Sequence, residues 1–156
     1  MIQIVQGHRG YGKTEFLIKW LMEGVPVDEY PGWSRAIVCV DANRARNTQV
    51  MLKKASQHLL DNFNVALHVK EDDKAQRELR AIHDMRKCVW SLQEFQRHRY
   101  GGFHHVEYAI DDLDDLLSYL LHAKCPPAVV TGSNFTLTTL GPGEEHHHYP
   151  SPEYWK

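Results

Sequence analysis

The stretch GHRGYGKT, Gly7 to Thr14, constrains this chain more than any other part of it. It follows the apolar run MIQIV and precedes Phe16, Leu17, Trp20 and Leu21, which recur at helical spacing. Three glycines, a lysine and a threonine thus fall where a strand becomes a helix. A helix start needs one capping side chain, and a single Ser or Asp would supply it. Gly7, Gly10 and Gly12 answer a different need, a backbone that something approaches closely and that turns where side chains obstruct.

Each position of the stretch fits G-x-x-x-x-G-K-[ST], with a strand before it and a helix after it. The residue types suit a phosphate chain. Glycines let backbone N–H groups wrap an anion, and the helix N-terminus adds partial positive charge. Gly7, His8, Arg9, Gly10, Tyr11, Gly12, Lys13 and Thr14 are therefore the candidate nucleotide-binding set. Lys13 suits the β- and γ-phosphates and the Thr14 hydroxyl suits Mg²⁺.

The rest of the chain alternates short β-rich runs with longer helical ones, the pattern of a parallel sheet flanked by helices. AIVCVD (36–41) reads as a buried strand ending in an acid, and residues 46–60 as a helix with Met51, Leu52, Ala55 and Leu59 on one face. VALHV (65–69) fits a strand. Residues 71–87 fit a charged helix, acidic early and basic late, as the helix dipole favours. CVWS (88–91) is a further short strand, and Ser91 with Glu94 forms a capping box for the helix LQEFQRH. VEYAIDD (106–112) is an apolar strand running into two carboxylates. Leu113, Leu116, Leu117, Leu120 and Leu121 then give a strong helical stripe. PAVVTGSN (127–134) reads as the last strand, and the Pro-, Gly- and His-rich end as an extended tail.

With these motifs in this order, the chain resembles the P-loop NTPases over about residues 1–135, leaving 136–156 as a flexible C-terminal tail. That resemblance implies a three-layer α/β sandwich around a mostly parallel sheet of about five strands. It also implies a Walker B aspartate on Mg²⁺ at the end of a later strand, and Asp111 occupies that place. A second acid directly afterwards, Asp112, matches the branch of RecA-like, helicase, phage terminase and AAA ATPases, in which that residue polarises the attacking water. The intervening strands 36–41 and 88–91 fit the same branch. Thr131, Ser133 and Asn134 match the position of a sensor of the γ-phosphate, Asn134 first among them.

The implied activity is Mg²⁺-dependent binding and hydrolysis of ATP that drives remodelling of a protein or nucleic-acid partner, as in a phage or bacterial accessory ATPase. No NKxD-type guanine reader is present, which favours ATP over GTP. Two other readings share the P-loop: a small-molecule or nucleotide kinase, and a nucleotide-dependent interaction module that does not hydrolyse. No helical lid is legible after the sensor strand, so the transition-state arginine is expected from a neighbour in a homo-oligomer or a partner. Arg97 and Arg99 are the candidates in this chain.

Bulk properties narrow the setting. At 156 residues, 42% of them hydrophobic, one soluble domain is expected. No apolar run approaches the ~20 residues of a membrane span, and no basic region precedes the apolar start as in a signal peptide. Three widely spaced cysteines, Cys39, Cys88 and Cys125, fit a reduced, cytoplasmic protein. A net charge of −2 provides no global basic field for nucleic acid, although Arg77, Arg80, Arg86 and Lys87 give one helix a basic end. The eleven histidines, three of them in the HHH at 146–148, show no zinc spacing.

Overall fold

A computed structural model describes residues 2–6, 10–27, 32–64, 73–99, 107–122, 124 and 135–141. The chain is α/β. Its described elements run β1 (Ile2–Gln6), α1 (Lys13–Met22), β2 (Arg35–Cys39), α2 (Ala42–Ala55), α3 (Gln57–Asn64), α4 (Asp73–Arg86), β3 (Val89–Ser91), α5 (Leu92–Arg99), β4 (Glu107–Ile110), α6 (Leu113–Leu120) and β5 (Phe135–Thr139).

All the strand pairings are parallel, as the alternation of strand and helix requires. The expected single sheet of about five strands is corrected. Among the described residues the five strands form one sheet of two, β1-β5, and one of three, β3-β2-β4. β1 pairs with β5 from Ile2↔Phe135 to Gln6↔Thr139. β2 is the inner strand of the larger sheet, with Ile37 opposite Val89 on one side and Ala109 on the other. β5 also shows that ordered pairing runs past residue 135, into the segment expected as tail. The expected strands at 65–69 and 127–134 lie outside the described residues, as do residues 142–156 with their HHH.

The core gathers around β2. Ala36, Ile37, Val38 and Cys39 are buried, and Ile18, Leu21 and Met22 of α1, Ala45 and Leu52 of α2, and Ala81, Ile82 and Met85 of α4 are buried as well. Trp33 is fully enclosed just before β2, and its indole N–H donates to the Leu21 carbonyl at 2.9 Å, so a large ring is buried without an orphaned donor. Gly24 makes room for it, because a Cβ there would meet Trp33 Nε1 at 2.8 Å. Arg35 ties the start of β2 to two neighbours, donating to the Trp20 carbonyl at 2.7 Å and to Glu107 at 2.8 Å.

The helix expected over 46–60 is two helices. Asp41 caps the first, accepting from the Arg44 amide at 2.9 Å, so the acid that ends the strand starts α2 at residue 42. At Ser56 the hydroxyl bonds back to the Leu52 carbonyl at 2.7 Å, a local alternative to the helical ladder, and α3 begins beyond it. No helix among the described residues is long and apolar enough to cross a membrane.

Candidate functional site

The carboxyl ends of β2 and β4 and the first turns of α1, α2 and α6 supply the site. The chain reaches α1 through Gly10 and Gly12, with φ of +85° and +79°. Both lie in the left-handed region that costs an L side chain ~1–2 kcal/mol, so two glycines of the motif are required by the backbone itself. Gly12 is the N-cap of α1 and offers no capping side chain, and Lys13 and Thr14 open the helix. The first N–H groups of any helix lack partners within it, and a cap without a side chain leaves that end suited to an anion. Gly7, His8 and Arg9 lie outside the described residues, and so do Thr131, Ser133 and Asn134.

Asp111 follows β4, with its amide on the Val38 carbonyl at 2.9 Å and its side chain buried. Thr14 Oγ1 lies 3.5 Å from Asp111 Oδ2, across 97 positions of sequence. These are the two residues expected to share Mg²⁺, and the fold sets them side by side. Burial pushes the Asp111 carboxyl above its usual range, and the neighbouring charge of Asp112 adds to this, while Arg44 and the Thr14 hydroxyl oppose it. A buried carboxylate that resists ionisation alone is one that gains from a cation. Among the described residues no three His, Cys, Asp or Glu side chains converge on a metal position. Mg²⁺ does not need such a cage, since it is commonly held by one or two carboxylates together with substrate phosphates and water. Thr14 and Asp111 fit that pattern.

Asp112 stands differently. It is the N-cap of α6 at φ +55°, left-handed for a non-glycine residue, and its side chain makes no capping hydrogen bond. Instead it accepts from Arg44 Nη1 at 2.9 Å. Arg44, in the first turn of α2, also pairs with Asp115 through Nη2 and approaches Asp41 at 3.9 Å. These carboxylates, with that of Asp115 first, hold the guanidinium above its already high pKa. Arg44 is the site residue that the sequence reading missed. Its only linear signal is its position three residues after the acid that ends β2; its partners lie 68 and 71 residues further on.

Of the two arginines expected to act in trans, Arg97 is exposed on α5 and Arg99 closes the same helix. Compared with known proteins, the chain matches no family model, no curated protein and no solved structure.

Proposed function

We propose that this chain is a P-loop ATPase with a RecA-like core, binding Mg²⁺ and ATP and coupling hydrolysis to the remodelling of a protein or nucleic-acid partner. The observation that carries this reading is the meeting of Thr14 and Asp111 beside two left-handed glycines at the start of α1. A chance glycine turn gives no reason for a buried carboxylate from the end of another strand to stand against that threonine.

On this reading the first turn of α1 and Lys13 hold the β- and γ-phosphates, and the Thr14 hydroxyl and the Asp111 carboxylate hold Mg²⁺. The bound cation offsets charge on the phosphates as the bond breaks. Asp112 takes the role of general base. It accepts a proton from the attacking water as the oxygen bonds to the γ-phosphorus and the bond to the β-phosphate oxygen breaks. Arg97 and Arg99 remain the candidates for a charge supplied to a neighbouring copy.

One observation favours a second reading, an interaction module that binds ATP without turnover: Asp112 is engaged by Arg44 and not directed at a bound water. Calorimetry and phosphate release separate the two. Lys13→Ala is expected to abolish tight ATP binding while leaving the fold intact. Asp111→Asn is expected to weaken Mg²⁺-dependent binding, and Asp112→Asn to spare binding and stop turnover. Unchanged ATP affinity in Lys13→Ala sinks the P-loop assignment. Binding without phosphate release under all conditions, in the wild type as in Asp112→Asn, selects the module.

A further inference from the structure

We propose that Arg44 is a latch on Asp112: it holds the general base in an unproductive ion pair until the terminal phosphate of a bound nucleoside triphosphate draws the guanidinium away. The inference rests on the ATPase reading above and adds a control element to that same site.

Three features of the structure point to a latch. Asp112 gives up what an N-cap aspartate ordinarily does, since its carboxylate leaves the amides of α6 uncapped and turns to Arg44. Asp41 shows the ordinary arrangement in the same site, extended at φ −137° and bonded to the amide of Arg44. The Asp112 backbone is left-handed at φ +55°, a conformation that persists only where surrounding contacts over-determine it. The ion pair to Arg44 is one such contact, and the Arg44 bond to Asp115, three residues further along α6, is a second from the same guanidinium.

A carboxylate held this way is a poor base. Its lone pairs are committed to two-centre hydrogen bonding with a cation, and the same cation lowers its appetite for a proton. The pair is also exchangeable. The Arg44 and Asp112 side chains retain 38% and 45% of their exposure, so solvent weakens the pair and neither group is sealed in. Guanidinium groups bind phosphate as readily as carboxylate, through the same forked geometry. A triphosphate held at Lys13 and Thr14 brings such an anion to the side of the site where Asp111 already stands. Asp41 and Asp115 would remain as the acids facing Arg44, so its movement is a shift between anions with no desolvated charge left behind. A purely structural staple between α2 and α6 makes the opposite prediction for turnover, because losing it would loosen the site.

The test combines turnover with a direct view of Arg44. In wild-type protein labelled with ¹⁵N, the Arg44 side-chain Nε–H resonance is expected to shift with Mg²⁺ and a non-hydrolysable ATP analogue and not with Mg²⁺ and ADP. Arg44→Ala is expected to raise kcat about three- to tenfold with KM little changed, the size expected for freeing one exposed charged hydrogen bond. Arg44→Lys, which keeps the charge, is expected to stay near the wild-type rate. Lower or unchanged turnover in a folded Arg44→Ala protein, or an Arg44 resonance indifferent to the analogue, overturns the latch and leaves the ATPase reading standing. Failure of the wild type to bind Mg²⁺ and ATP overturns that reading, and the latch falls with it.

Discussion

Glycines in this chain serve two unrelated purposes, and substitution separates them. Gly10 has φ +85° with open space where a Cβ would stand, so Gly10→Ala introduces strain and no clash. Its expected cost is ~1–2 kcal/mol. Gly24 faces Trp33 Nε1 at 2.8 Å and the Leu21 carbonyl at 3.1 Å, so a methyl group there displaces a buried ring from its hydrogen bond. Gly24→Ala is expected to cost ~1–3 kcal/mol and to perturb tryptophan fluorescence. Urea unfolding followed by fluorescence reads both. A Gly24→Ala protein as stable as the wild type, with unaltered fluorescence, would show that Trp33 is not seated against that backbone. Only Gly10 belongs to the candidate phosphate loop, so only Gly10→Ala should also weaken ATP binding.

Among the elements, the junction between β3 and α5 is the most local in origin. Ser91 ends the strand and caps the helix: its amide donates to Glu94 Oε2 at 2.9 Å, and the Glu94 amide donates to Ser91 Oγ at 3.2 Å. This reciprocal pair is the capping box that the spacing of Ser91 and Glu94 predicts, and the helix begins where it should. Ser91→Ala is expected to cost ~1 kcal/mol, and Ser91→Asp, which can still cap, less than that. Equal losses in the two variants would mean that burial of the small side chain beside β2, and not capping, sets the cost. The break between α2 and α3 is less local. Ser56 bonds to its own helix, but Arg86 of α4 also donates to Ser56 Oγ at 2.9 Å and to the Lys53 carbonyl at 2.7 Å, from 30 or more positions away. The run of Met51, Leu52, Ala55 and Leu59 reads as one continuous helix because nothing nearby in sequence announces Arg86.

At the scale of the molecule, burial decides the chemistry of the cysteines. Cys39 lies in β2 and burial pushes its thiol up to about 11; burial raises the Cys88 thiol further still. A raised thiol pKa leaves the protonated form in place at pH 8, and the thiolate is the reactive species. In a Cys125→Ser protein at pH 8, neither thiol is expected to react with a disulfide reagent in the native state, and both should react in denaturant. Prompt native reaction would mean that the core around β2 opens far more often than its packing implies. That core is assembled from α1, β2, α2, α4 and β3, and β1 with β5 stands as a separate pair among the described residues.

Periodicity, glycine placement and capping residues were enough to read an α/β chain, the strand–loop–helix at Gly7 to Thr14, the start of α1 at Lys13 and the box at Ser91. All of these depend on residues within a few positions of one another, where backbone sterics and local hydrogen bonds act. The pairing of strands was not legible, since which edge meets which depends on hydrogen bonds between distant segments; hence five strands appear in two sheets and β5 extends beyond the expected core. The candidate site divides along the same line. Asp111 and Asp112 stand adjacent in sequence and look alike there, two acids at the end of one strand. The fold buries the first against Thr14 and exposes the second to Arg44, and only that difference in surroundings makes one a metal-type carboxylate and the other an ion-paired one.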